Sequence, residues 1–84
     1  MNPPTERQLE IAEMMLRYHE AHDEWPTQRE IADSVGIKST NTSQYLAALI
    51  KKGVALKLDR GRRNVALTDK GAEMIRQGWQ PTLF

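Results

Sequence analysis

Cysteine is absent from the 84 residues. That excludes disulfides, thiolate catalysis and Cys-based zinc sites, and it suits a reducing compartment. Long apolar runs are missing as well. The start, Met1-Asn2-Pro3-Pro4, has no signal-peptide core, and no run approaches the roughly 20 apolar residues of a membrane span. A soluble, cytoplasmic chain with no membrane partner is the expectation. An apolar fraction of 39% permits one small packed core and leaves little room for a deep catalytic cleft. No phosphate-binding glycine loop is present and no nucleophile has an identifiable base, so the sequence predicts neither an enzyme nor a cofactor. His19 and His22 lie three apart in a Glu-rich stretch without a third ligand set, and no metal site is expected.

Net charge is small too, at +1, yet its distribution is lopsided. Residues 1–33 hold three basic and eight acidic side chains, giving −5. Residues 34–84 hold nine basic and three acidic, giving +6, and the halves sum to +1. One face for a polyanion and one turned away from it would produce this asymmetry. Uneven partition by chance in a short chain would produce it equally, so charge alone does not decide.

What is present is a series of helix signals followed by a change of period. Thr5-Glu6-Arg7-Gln8 has the form of a capping box, in which Thr and Gln satisfy two orphan backbone N–H groups. Leu9, Ala12, Leu16 and the flanking Met15 and His19 then recur at helical spacing to about His22, where Asp23-Glu24-Trp25-Pro26 breaks the helix. Thr27-Gln28-Arg29-Glu30 is a second capping box. Ile31, Ala32 and Val35 give it a short apolar face, and Gly36 suits the left-handed residue that ends it. Ser39 or Thr40 caps a third helix reaching Lys52, with Leu46, Leu49 and Ile50 on one face and Gly53 as its stop.

Beyond Gly53 the period becomes two. Val54, Leu56 and Leu58 alternate with Ala55 and Lys57, and Val65 and Leu67 alternate with Asn64 and Ala66, on either side of Asp59-Arg60-Gly61-Arg62-Arg63. This predicts a β-hairpin with a basic tip. Thr68-Asp69 opens a last helix to about Arg76 or Gln77. The expected fold is mainly α with a small β-hairpin (α+β), in the order α-α-α-β-β-α. Residues 1–4 form an arm, 5–77 the domain and 78–84 a tail. A two-turn helix, a glycine corner, a third helix and a hairpin make a winged helix-turn-helix.

On a helical wheel centred on Leu46, Thr40, Asn41, Gln44, Ala48 and Lys51 point outward, with Ser43 and Tyr45 on the flanks. Small polar side chains suit a face that enters the major groove of duplex DNA, and an amide such as Asn41 or Gln44 can pair bidentately with adenine. Lys38, Ser39 and Thr40 sit at the helix start, where free N–H groups favour phosphate. Any amphipathic helix has such an outer face, so this signal alone is evenly balanced against plain solvation. The hairpin shifts the balance. Lys51, Lys52, Lys57, Arg60, Arg62 and Arg63 against Asp59 give +5 within thirteen residues, and arginines at a projecting turn can follow phosphates or enter a narrow minor groove.

The segments Thr5–Gln8, Trp25-Pro26-Thr27-Gln28-Arg29-Glu30-Ile31-Ala32 to Ser39, and Leu46 to Val54 resemble the N-terminal DNA-binding domain of LexA repressors. The resemblance covers about residues 5–67. Leu67-Thr68-Asp69-Lys70-Gly71 is similar to a continuation found in MarR-type winged helix proteins. The resemblance implies sequence-specific binding of double-stranded DNA in transcription regulation, with Ser39, Asn41 and their neighbours on the bases. Its recognition segment is one residue shorter than the family pattern and lacks the usual acidic pair, implying a different target. The resemblance does not extend to the self-cleaving protease domain of that family, and none is expected in this chain. Whether it works as a monomer, a homodimer or an assembly formed only on DNA stays open.

The tail, Gln80-Pro81-Thr82-Leu83-Phe84, resembles the peptide by which bacterial replication and repair proteins dock on the β sliding clamp. Leu83 and Phe84 would fill an apolar pocket and Gln80 would hydrogen-bond at its edge. Packing of the tail on the domain's own core, or disorder, are the alternatives to that partner.

Overall fold

The computed structural model describes residues 4–59 and 61–78. Four helices and one hairpin follow in the expected order: α1 Glu6–His22, α2 Gln28–Val35, α3 Ser39–Lys51, β1 Ala55–Lys57, β2 Val65–Leu67 and α4 Asp69–Arg76. Both capping boxes form. Thr5 Oγ1 accepts from Gln8 N while Gln8 Oε1 accepts from Thr5 N. Thr27 Oγ1 and Glu30 Oε1 repeat the exchange at the start of α2. Gly36 ends α2 in the left-handed region at φ 79, where a Cβ would be strained. At the end of α1 the same role falls to Asp23, at φ 57, whose N–H donates to His19 O.

α1 is the hub, packing against α2, α3, α4 and β2. Ile11 and Met15 of α1, Ile31 of α2, Leu49 of α3 and Val54 are essentially inaccessible, and Leu46, Leu67, Val65 and Ala72 close around them. Each large aliphatic side chain buried in this way contributes roughly 1.5–3 kcal/mol. Ala12, Met15 and Leu16 are buried as expected, but Ile11 and Gln8 are buried with them and Leu9 only partly so. Gln8 keeps its polar end satisfied by accepting from Lys52 Nζ at 2.7 Å, which ties the start of α1 to the end of α3.

Two further expectations are corrected. Ile50 does not complete the apolar face of α3 but stands 36% exposed, and the buried partner of Leu46 and Leu49 is instead Thr42, whose hydroxyl donates to Lys38 O at 3.1 Å. In β1 the buried residue is Ala55, while Leu56 is 38% exposed. Register explains it. Ala55 pairs with Leu67, on the face that joins the core cluster, and Leu56 pairs with Ala66 on the other face, while Lys57, paired with Val65 towards the turn, is exposed. Among the described residues no helix is long and apolar enough to cross a membrane.

Candidate nucleic-acid interface

α3 begins one residue earlier than Ser39 as cap would imply, and two earlier than Thr40 would. Lys38 is the N-cap, in extended conformation and with no side-chain cap hydrogen bond. Ser39 and Thr40 therefore lie in the first helical turn, where their N–H groups are unpaired donors of the helix start. Lys38, Ser39, Thr40, Asn41, Ser43, Gln44 and Lys51 are all exposed. Asn41, Gln44, Ala48 and Lys51 follow the three- and four-residue spacing of one face. Lys38 and Lys51 mark its two ends, about 18–20 Å apart at 1.5 Å per residue. Ser43 donates its hydroxyl hydrogen to Thr40 O at 2.9 Å, which leaves its lone pairs as acceptors.

The second half of the surface comes from the hairpin. Leu58 N donates to Asn64 O at 2.6 Å across the turn. Arg62 and Asn64 meet Thr27, Gln28 and Arg29 of the α2 start along an open groove. Two arginines and no carboxylate line that groove, whose floor is the positive end of a helix. Gln28 links it to α3, donating from Nε2 to Ser39 O at 2.8 Å. Arg62, the α2 start and the α3 start thus form one continuous face. Gln28, Arg29 and Asn64 escape a sequence reading because nothing local distinguishes them; only the approach of the wing to α2 brings them in.

Arg63 takes a different course from Arg62. Its guanidinium donates to Glu30 Oε1 at 2.7 Å, Trp25 O at 3.0 Å and Tyr18 Oη at 3.1 Å, with Glu24 Oε2 at 3.5 Å. Its central carbon lies 5.7 Å from the Tyr18 ring centroid. Tyr18 in turn donates to Glu30 Oε2 at 3.1 Å, closing a three-residue circuit. The Thr27 N–H and then Arg63 hold the Glu30 carboxyl well below the usual carboxylate range, at about 2. The same pairing raises Arg63 above the ordinary guanidinium value, Glu30 and Tyr18 being the main causes.

Both histidines are engaged with rings of their surroundings. His19 stacks on Trp25 with centroids 3.9 Å apart and planes nearly parallel, and His22 lies 4.3 Å from Tyr18. Among the described residues no group of three His, Asp or Glu side chains could hold a metal. Arg60 and the tail residues Gln80, Leu83 and Phe84 lie outside the described residues.

The comparisons with known proteins point to one family. The family model of the LexA DNA binding domain matches residues 1–63, from the start of the chain through the wing turn. A LexA repressor of Enterococcus faecalis is 40% identical over 77 residues, covering 90% of this chain and 36% of that protein. One from Shewanella denitrificans is 39% identical over 75 residues, covering 88% and 37%. The chain thus spans well under half the length of the curated relatives it matches. A capped α2 preceded by Pro26-Thr27, a glycine corner, a polar α3 face and a matched stretch covering three-quarters of the sequence have one explanation: the chain belongs to the LexA DNA-binding domain family.

Proposed function

We propose that this domain binds double-stranded DNA with sequence preference and acts in transcription regulation. The observation that carries the reading is the unbroken face from the outer side of α3, through the Gln28–Ser39 hydrogen bond, to the acid-free groove between Arg29 and Arg62. α3 lies in the major groove, with Asn41 and Gln44 reaching base edges. Lys38, Ser39 and Thr40 bind phosphate at the helix start, helped by its free N–H groups. Lys51 neutralises a phosphate at the far end. The Arg62 side chain follows the adjacent backbone or minor groove, with Arg60 two residues before it in sequence.

Two substitutions separate these roles. Arg62→Ala weakens binding to every duplex and lowers the slope of log K against log salt by about 0.9, the share of one phosphate contact. Asn41→Ala leaves the slope unchanged and relaxes discrimination at one base pair by about 1–3 kcal/mol. Selection from a random duplex pool followed by salt titration of both variants measures both effects. An unenriched pool with unaltered titrations would defeat the proposal.

A further inference from the structure

We propose that Arg63 is the positioning residue of the wing: it contacts no DNA itself, and it sets DNA affinity by holding Arg62 over the α2 start. This rests on the DNA-binding reading above and assigns it a mechanical part that the basic tip alone does not reveal.

The wing needs a fastening. Each strand is three residues long, and an isolated two-stranded ribbon of that size does not support itself in water. β2 is anchored through Val65 and Leu67 in the core, and Leu58 N to Asn64 O spans the base of the turn. Arg63 is the residue just inside that base. It reaches three separate pieces of chain: Tyr18 on α1, the Trp25 carbonyl in the α1–α2 connection, and Glu30 on α2. Those anchors are themselves fixed. Glu30 is locked by the Thr27 N–H at 2.7 Å, and Trp25 is stacked on His19.

The alternative, in which Arg63 binds a phosphate, runs against the same contacts. Its guanidinium would leave three charge-assisted hydrogen bonds to Glu30, Trp25 O and Tyr18. It would also leave Glu24 and Glu30 as unbalanced carboxylates beside the polyanion. Arg63 turns its guanidinium onto the α1–α2 connection, where its side chain is 35% exposed, whereas Arg62 is exposed and borders both that cleft and the groove at the α2 start.

Glu30→Gln tests the inference because the two roles demand opposite signs. The substitution is nearly isosteric and removes the charge that holds Arg63. A positioning Arg63 loosens, and affinity for a fixed duplex falls several-fold. An Arg63 competent for phosphate is released, and affinity rises. The second test is the cycle of Arg62→Ala, Arg63→Lys and the double variant. Lysine keeps the charge but lacks the fork that meets both Glu30 oxygens. With positioning, the double variant binds like Arg62→Ala alone, and its salt slope falls by about 0.9 in total. Additive losses, or a slope that falls by about twice that amount, overturn the proposal. Urea unfolding of each variant fixes conditions in which all are folded, and the cycle decides where Glu30→Gln is too unstable to use. An Arg62→Ala variant that binds every duplex like the parent overturns the DNA-binding reading itself, and the positioning role with it.

Discussion

Gly71 on α4 is pressed against the backbone carbonyl of Val54. A Cβ built on Gly71 would overlap the Val54 oxygen and stand 2.9 Å from the carbonyl carbon. That carbonyl cannot easily retreat, because it accepts from Thr68 N at 3.0 Å and lies 3.2 Å from Thr68 Oγ1. Thr68 is also the N-cap of α4, its oxygen accepting from Gly71 N at 2.9 Å. One knot of hydrogen bonds therefore sets how closely α4 approaches the start of the hairpin.

Gly71→Ala is accordingly destabilising, by about 1–3 kcal/mol as for other overpacked sites. In a domain of this size each kcal/mol lowers the midpoint by roughly 4–8 °C. The helix-propensity gain of alanine, about 1 kcal/mol, works in the other direction. A thermal scan in which Gly71→Ala melts at or above the parent temperature would show that the contact is looser than its geometry implies.

The α2 capping box predicts a smaller loss. Thr27→Ala removes the acceptor of the Glu30 N–H, a bond of 3.1 Å, and costs about 1 kcal/mol. Thr5→Ala, which breaks the matching bond at Gln8, costs a similar amount. Urea midpoints with unchanged slopes are the expected result for both. A Thr27→Ala midpoint equal to that of the parent would remove the cap from the account of stability.

Acid sensitivity follows from Glu30. Its carboxyl titrates near 2 in the folded chain against an ordinary value of 4.5. A depressed folded value means the unfolded chain binds the proton first. The contribution is full above pH 4.5 and is lost as pH falls from about 4.5 towards 2. Glu30→Gln flattens that part of the stability–pH curve and leaves the neutral region parallel to the parent. Measuring unfolding at pH 7, 4 and 2.5 checks it. Equal slopes for parent and variant through the acid limb would contradict the assignment.

Lys38 offers a trade between stability and binding. As the N-cap of α3 it makes no side-chain hydrogen bond to the helix. Lys38→Asp supplies a capping acceptor and a charge suited to the helix dipole, raising stability by about 0.5–2 kcal/mol. The same change places an anion where phosphate is expected, so duplex affinity falls and its salt slope with it. Unfolding and binding measured on one preparation should move in opposite directions.

Features set by residues close in sequence were legible before the fold was known. Thr5 with Gln8, Thr27 with Glu30, and Gly36 after Val35 are fixed within one helical turn, and each stands where the pattern places it. Short elements gave less. Three residues cannot establish a period of two, so the inward face of β1 waited on its pairing with β2. The α3 cap was misplaced because Ser39 and Thr40 are better capping types than Lys38, yet Gln28 and Thr42 hold the Ser39 and Lys38 carbonyls and favour the earlier start. The outer α3 residues and Arg62 were legible as an exposed polar set. The inward turn of Arg63 was not, since its partners Tyr18 and Glu30 lie 45 and 33 residues away.

With Arg63 turned onto the α1–α2 connection, the described residues at the outside of the turn carry few duties to the fold. Gly61 has open space around the place a side chain would occupy, with no left-handed backbone angle to demand glycine. Asp59 and Arg62 are exposed on either side of it. The tip is therefore a writable stretch on a fixed stem. On the proposed reading its exposed residues can change, and affinity for duplexes in general with them, while the residues that stabilise the fold go unchanged.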